Sequence, residues 1–337
     1  MKAIVLQETH RPVAVQEVEI PQANADEVVV QIKAAALNHR DVFIQKGLYP
    51  GIQLPTILGS DGTGIVTEIG SQVGKDWLGR EVIINPSHNW GDNPRFYGKD
   101  FKILGMPDKG TFAEYIKVQA KYLIPKPSHL GFEAAAAIPL AGLTGWRALM
   151  SRAGLQPGER VLITGIGGGV ALFVLQFAVA AGAEVWVTSG SDEKIEKAVE
   201  LGAKGGVNYK DSNWLKNLFS ATGSSRTGYF DVIIDSAGGP SFSKLIEIAA
   251  PGGRICFFGG TTGNITDIIP SKVFFKQLNI LGSTMGSEAE FDDMVRFVEK
   301  HQLQPIISDM FPLEAAEEAL RYMDNGAQFG KIVLKID

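Results

Sequence analysis

The chain has 337 residues, 45% of them hydrophobic and 20% charged, with a formal net charge of −5. That length exceeds what one hydrophobic core usually fills, so two domains are expected, and the mild acidity lacks the basic footprint that nucleic-acid binding requires. The single cysteine, Cys256, excludes an internal disulfide and any cysteine-rich metal cluster and fits a reducing, cytoplasmic compartment. Within the strand-like run Arg254 to Phe258 it reads as a small buried hydrophobe.

The first residues, MKAIVLQ, lead straight into strand-like sequence without the zones of a signal peptide, so no export is expected. The longest apolar stretch, Val170 to Ala183, is interrupted by Gln176 and too short to span a bilayer, so no membrane partner is expected. From Met1 to about Pro125 short β-type runs, among them Ala3 to Leu6, Val28 to Ile32, Gly64 to Ile69 and Glu81 to Ile84, alternate with Gly, Pro, Asn and Asp. This predicts a small barrel or sandwich. Pro125-Lys-Pro127 marks a boundary, after which Phe132 to Ala153 reads as mainly helical, broken around Pro139 and Gly142.

The stretch from Arg160 to Lys194 organises the rest. Arg160 to Thr164 is a β-branched apolar run of the kind that forms a buried parallel strand, and it stops at Gly165, Gly167, Gly168 and Gly169. Val170, Phe173, Val174, Phe177, Ala178 and Ala181 then recur at helical spacing, Gly182 closes the helix, and Glu184 to Thr188 supplies a second strand. Such a βαβ unit binds a dinucleotide pyrophosphate on the free N–H groups of the first helical turn, provided no Cβ intervenes. Two spacings are possible. Gly165-x-Gly167-x-x-Val170 lacks a small third residue, whereas Gly165-x-x-Gly168-x-x-Ala171 ends in one and is preferred. Further on, strands and helices alternate: Gly206 to Tyr209, Trp214 to Ala221, Asp231 to Asp235, Ser241 to Ala249, Arg254 to Phe258, and a last strand at Leu278 to Ser283. The expected α/β architecture is a doubly wound parallel sheet. A helix at Phe291 to His301 follows, and the tail Gly330 to Ile336 is β-like, expected to rejoin the first domain.

Several segments in order, Ala36-Leu-Asn-His-Arg-Asp41, Leu58-Gly-Ser-Asp-Gly-Thr-Gly-Ile-Val66, Leu140-Ala-Gly-Leu-Thr144, the glycine turn, Gly205-Gly-Val-Asn-Tyr209 and Phe329-Gly-Lys-Ile-Val-Leu334, resemble the medium-chain dehydrogenase/reductase superfamily. The chain looks most like its zinc-free, quinone oxidoreductase-like branch, whose members are often labelled zinc-type alcohol dehydrogenase-like. The resemblance implies a GroES-like, β-rich substrate domain from residues 1–125 plus 282–337 and a Rossmann domain from 126–281. It also implies a homodimer or higher homo-oligomer, because the family commonly pairs the last strand of the Rossmann sheet between subunits.

The resemblance places Asn38, Ser60 and Leu140 where other members hold a catalytic zinc with cysteine, histidine and cysteine, and none of the three is a usual zinc ligand. The lobe that holds a structural zinc elsewhere, Asn85 to Lys109 here, contains no cysteine. His39 and His88 lack partners for a metal, so no metal is expected. Oxidising a simple alcohol needs something to stabilise an alkoxide, whereas hydride addition to a quinone or α,β-unsaturated carbonyl delocalises the charge as it develops. Asn38, Tyr49 and Ser60 are the candidate donors to such an oxyanion, and Asp41 reads as a structural hydrogen-bond acceptor. Thr144 resembles the family threonine that approaches the nicotinamide. For the cofactor, Gly165, Gly167, Gly168, Gly169 and Val170 are the candidate pyrophosphate residues. No acid follows Val187 to bind ribose hydroxyls, and Ser189, Lys194 and Tyr209 resemble the set around the 2′-phosphate in NADPH-preferring relatives. The expected function is NADPH-dependent reduction of a small quinone or conjugated carbonyl. A zinc-independent alcohol dehydrogenase and a non-catalytic NADPH-binding sensor or structural protein are the alternatives.

Overall fold

The computed structural model describes residues 1–224 and 228–336. It divides into two compact units, Met1–Leu143 with Gly286–Asp337, and Thr144–Met285.

The first unit is built on the strand Glu27–Ala36, which is paired along both edges and buried on both faces. This explains why its apolar alternation is only partial. Val28, Val30 and Ile32 enter one core with Leu6, Val42, Phe112 and Leu334, while Ala34 and Ala36 receive Ala136, Ala137 and Val333 on the other side. The sheet runs Leu123–Pro125, Glu81–Ile84, Asp61–Ile69, Glu27–Ala36, Lys331–Lys335, Ile307–Pro312, with Tyr115–Gln119 also on Glu27–Ala36. The chain's tail therefore joins this unit: Lys331–Lys335 pairs antiparallel with Glu27–Ala36, Val333 opposite Ala36 and Lys335 opposite Ala34. That register brings Lys331 level with the segment that follows Ala36.

Residues 126–143, expected with the dinucleotide unit, belong to this one instead. The reason is packing and hydrogen bonding: Ala136 and Ala137 lie against Ala34, Ala36 and Val333, and the Leu140 N–H reaches the Asp61 carboxylate. The expected helical stretch is two helices, Phe132–Ala136 and Pro139–Trp146, running on into a π-helical segment Arg147–Arg152. The break precedes Pro139, whose ring suits the first turn of a helix. Gly142 sits inside the second helix, where a Cβ would stand 2.7 Å from the Met294 sulfur.

The second unit is a sheet of six parallel strands in the order Gly205–Asn208, Glu184–Ser189, Arg160–Ile163, Phe230–Asp235, Ala249–Phe257, Asn279–Gly282. The first strand of this unit, Arg160–Ile163, lies in the middle. The order reverses between it and Phe230–Asp235, so the doubly wound topology has its switch point there, where such sheets open a crevice at the carboxyl ends of the strands. Leu162, Ile233 and Ile255 are buried with Phe230, Phe242 and Trp214, the continuous apolar character expected of a sheet covered on both faces. Cys256 is fully buried in this sheet. Among the described residues, no helix is long and apolar enough to cross a membrane.

Candidate active site

In the second unit the chain leaves Arg160–Ile163 through Thr164, whose N–H bonds the Ile234 carbonyl, and turns at Gly165 and Gly167 with φ of 65° and 123°. Gly168, in ordinary extended geometry, caps the helix Gly169–Ala180. The turn thus takes its two conformationally required glycines from the spacing that was not preferred, Gly165-x-Gly167, and its small buried helix residue, Ala171, from the other. A Cβ on Gly167 would stand 2.9 Å from Cδ of Lys194, whereas one on Gly168 would meet nothing within 4 Å. Open space therefore fronts the helix N-terminus, where the N–H groups of Gly169, Val170 and Ala171 have no intrahelical acceptor and the helix dipole favours an anion. A Cβ at Gly168 would fill that cradle. These residues fit the pyrophosphate of a dinucleotide.

At the end of Glu184–Ser189, Ser189 is buried and its hydroxyl oxygen accepts the Ser191 N–H at 3.2 Å. Ser191 in turn caps the helix Asp192–Glu200 by accepting the Lys194 N–H. This cap orients Lys194 so that its side chain passes over Gly167, and the partial burial it gains there pulls its pKa down. Tyr209 donates its N–H to the Ser189 carbonyl at 2.9 Å. Its hydroxyl and Lys210 Cε both lie less than 3 Å from where a Cβ on Gly190 would stand, at 2.8 and 2.9 Å, so only glycine lets them approach. Lys194 thus lies at the glycine turn, while Tyr209 is tied to Ser189 and packs on Gly190 together with Lys210, a residue not singled out from the sequence. Thr144, also in this unit, is buried with its hydroxyl 3.9 Å from the Met285 sulfur.

The sequence reading also missed the floor of the crevice. Thr164 Oγ1 donates to Asp235 Oδ1 at 2.5 Å, and Gly238 N–H donates to Asp235 Oδ2 at 2.7 Å. Burial raises the Asp235 pKa. The signal was available in Asp235-Ser-Ala-Gly-Gly239, where a strand ends in two glycines that both take positive φ.

In the first unit, Asn38 and Leu140 converge on one carboxylate. Asp61 is fully buried: Oδ1 accepts the Leu140 N–H at 2.7 Å, while Oδ2 accepts Asn38 Nδ2–H and Lys331 Nζ–H, each at 2.9 Å. Lys331, itself buried, gives its other two hydrogens to the Leu37 carbonyl and to Asn38 Oδ1, both at 2.7 Å. Because a lysine only donates and an ionised carboxylate only accepts, these two neighbours fix which end of the Asn38 amide is which. Asn38 also caps the helix His39–Gln45, its N–H donated to Asp41 Oδ2 at 2.8 Å. The amide keeps one Nδ2 hydrogen that none of the described residues accepts.

Asp41 is the acceptor expected, and more. Its Oδ1 is buried without a partner, and burial pushes its carboxyl up to about 6. Ser60, by contrast, has spent its hydrogen: it donates to the Leu104 carbonyl at 2.7 Å and accepts from the Arg40 guanidinium at 2.6 Å. Arg40 goes on to the Leu104 and Met106 carbonyls and lies 5.0 Å from the centre of the half-buried Tyr49 ring, whose hydroxyl meets no partner among the described residues. His39 faces solvent. His88 is buried against Tyr122, the rings 3.8 Å apart and within 8° of parallel, with Nε2 on the Asn85 carbonyl. That burial holds its pKa down to about 4, so it packs as a neutral ring. Among the described residues, no three His, Cys, Asp or Glu side chains gather in a way that could hold a metal ion.

Comparison with known proteins agrees with this architecture. Residues 24–128 match the alcohol dehydrogenase GroES-like domain, and residues 169–300 match the family described as zinc-binding dehydrogenase. The chain is 38% identical to the zinc-type alcohol dehydrogenase-like protein YogA of Leptosphaeria maculans, over 98% of this chain and 96% of that one. A crystal structure of an NAD-dependent alcohol dehydrogenase, also 38% identical, superposes with a TM-score of 0.93 over the whole of both chains. The acryloyl-coenzyme A reductase of Sulfurisphaera tokodaii is 27% identical over 99% of this chain and 100% of its own. With a glycine turn that fits a dinucleotide, the chain belongs to the medium-chain dehydrogenase/reductase superfamily of oxidoreductases, in its zinc-independent branch related to quinone and enone reductases.

Proposed function

We propose that the protein interconverts a small carbonyl compound and its alcohol with NADP(H), and does so without zinc. The observation that carries this reading is the Asn38 amide, held at both ends by Lys331 and Asp61 with one N–H left to donate. A bound dinucleotide supplies or accepts the hydride; the chain's own residues must stabilise the oxygen that becomes negative. An amide N–H already fixed in place costs no reorganisation as that charge develops, and one such donor is typically worth about a hundred- to thousandfold in rate. Ser60 has no hydrogen left to give, so its part is to hold Arg40 beneath Tyr49. Tyr49, with its hydroxyl unpartnered, is the candidate to return a proton to the oxygen.

The relatives described above favour alcohol and carbonyl chemistry over quinones: one is named an alcohol dehydrogenase, one alcohol dehydrogenase-like, and none a quinone reductase. The second reading is reduction of a conjugated carbonyl, favoured by the likeness to acryloyl-coenzyme A reductase. The same Asn38 donor would serve an enolate, whose charge is already spread. NADPH over NADH is supported by Lys194 at the glycine turn and by Lys210 beside Tyr209 at Gly190, while the 38% identical crystal structure is of an enzyme named NAD-dependent. A homodimer is supported by the edge strand Asn279–Gly282 and the neighbouring Phe274 and Phe275, 60% and 80% exposed.

The experiment is steady-state oxidation of NADPH and of NADH by the metal-analysed protein against an aldehyde, an enone, an acyl-coenzyme A thioester with a conjugated double bond, and a quinone. Turnover with the aldehyde, and alcohol-dependent reduction of NADP⁺, support the first reading. Turnover confined to the enone or thioester selects the second, and dinucleotide binding with no turnover returns the protein to a sensor or structural role.

A further inference from the structure

Lys331 is far from Asn38 in sequence, yet the pairing of Lys331–Lys335 with Glu27–Ala36 brings its ammonium to the amide oxygen of Asn38. All three of its hydrogens are committed within 2.9 Å, to Leu37 O, Asn38 Oδ1 and Asp61 Oδ2. It therefore has no proton for a substrate and acts only through what it holds. Two consequences follow for Asn38. The amide cannot flip, because Oδ1 faces a cation and Nδ2–H faces an anion. The amide is also polarised, because a hydrogen bond from a charged donor to its oxygen draws electrons from the nitrogen and strengthens the remaining N–H as a donor.

We propose that Lys331 is a positioning residue for the reaction: together with Asp61 it locks and polarises the Asn38 amide, so that a buried ammonium, acting through that amide, provides the positive pole of a site without zinc. The proposal rests on the reading that Asn38 N–H holds the substrate oxygen. Lys331 and Asp61 are otherwise a buried ion pair, and a buried pair is often replaceable by neutral groups without loss of stability. Its place next to the one free amide hydrogen is what a positioning role accounts for.

The test compares Asn38→Ala, Lys331→Met and Asn38→Ala/Lys331→Met in the full-length protein, using whichever carbonyl substrate wild type turns over, with circular dichroism to establish folding. Lys331→Met strands a buried carboxylate, so Lys331→Met/Asp61→Asn, which removes both charges, is measured beside it. Lys331→Gln, which can still donate to Asn38 Oδ1, is the conservative variant. The expected result is that Lys331→Met and the neutral pair lose about a hundredfold in kcat, while substrate KM and NADPH Kd move less than about threefold. Lys331→Gln recovers part of that loss. In the Asn38→Ala background, Lys331→Met costs less than about threefold more, because both act through one hydrogen bond. A folded Lys331→Met or neutral pair with wild-type kcat overturns the proposal, as does a loss that adds in full to that of Asn38→Ala. If Asn38→Ala itself keeps wild-type kcat, the reading of Asn38 fails and the role of Lys331 falls with it.

Discussion

A Cβ on Gly167 would stand 2.9 Å from Cδ of Lys194, so the glycine that turns the chain toward the helix also makes room for the cation that passes over it. Gly167 is needed twice, for its φ of 123° and for this approach, whereas Gly168 has ordinary backbone geometry and open space before it. Gly167→Ala is expected to cost about 1–3 kcal/mol of stability from backbone strain. Gly168→Ala should melt within a degree or two of wild type yet bind dinucleotide at least about tenfold more weakly, because its methyl group would occupy the place of a pyrophosphate oxygen. Thermal melts beside NADPH titrations of both variants check this. Normal NADPH affinity in Gly168→Ala would remove the cradle from the account.

Lys194 is expected to distinguish the two cofactors. Its ammonium lies at Gly167 of the glycine turn, and its backbone N–H is fixed by the Ser191 helix cap, which does not depend on the side-chain charge. Lys194→Ala is expected to raise KM for NADPH about tenfold and leave KM for NADH unchanged, as removal of a partly exposed charge from a phosphate site would. Equal losses for both cofactors would assign Lys194 to the fold of the turn rather than to a 2′-phosphate.

Asp41 gives the stability a pH dependence of unusual sign. Its carboxyl is pushed up to about 6 by burial, so between pH 4 and 6 the folded state holds a proton that the unfolded state has released. Stability from this group is present below pH 4 and is lost as pH rises to about 6, by about 3 kcal/mol. Asp41→Asn keeps a carbonyl oxygen to accept the Asn38 N–H and cannot ionise. The stability gap between the variant and wild type, from urea unfolding, should widen in favour of the variant from pH 4 to 6 and level off above. A gap that does not change with pH would mean the carboxyl is not buried as an acid.

Cys256 is expected to stay silent. It is fully buried and its thiol is pushed up to about 12 by burial, with no thiolate to react at neutral pH. An aromatic disulfide reagent should titrate no thiol in the native protein and one after denaturation, with activity unchanged by the native treatment. Rapid native labelling with loss of activity would contradict the packing of the central sheet.

The sequence carried the second unit well because its signals are local. An apolar run, a glycine turn and a helical period lie within Arg160 to Lys194, and each strand of the parallel sheet is bounded by its own turn residues. What escaped notice there, Lys210 and the Asp235–Thr164 bond, depends on strands adjacent in space but not in sequence. The first unit was legible in its strands but not in its polar core. Asn38 could be singled out from the segment it sits in. That Ser60 had already spent its hydrogen on Leu104, or that Lys331 from the tail would clamp Asn38, depended on hydrogen bonds between segments far apart in the chain. The placement of residues 126–143 failed for a related reason: a proline pair looks like a boundary locally, but Ala136 and Ala137 find their packing on Glu27–Ala36.

The central claim is that hydride transfer proceeds without a metal because Asn38 donates to the oxygen that becomes negative. The most direct measurement is carbonyl-dependent NADPH oxidation by wild type and Asn38→Ala after exhaustive chelation, with NADPH binding measured on the same samples. The account predicts that chelated wild type keeps its full rate, and that Asn38→Ala binds NADPH normally while losing about a hundred- to thousandfold in kcat. A rate abolished by chelation and restored by zinc, or a wild-type rate in Asn38→Ala, would contradict it.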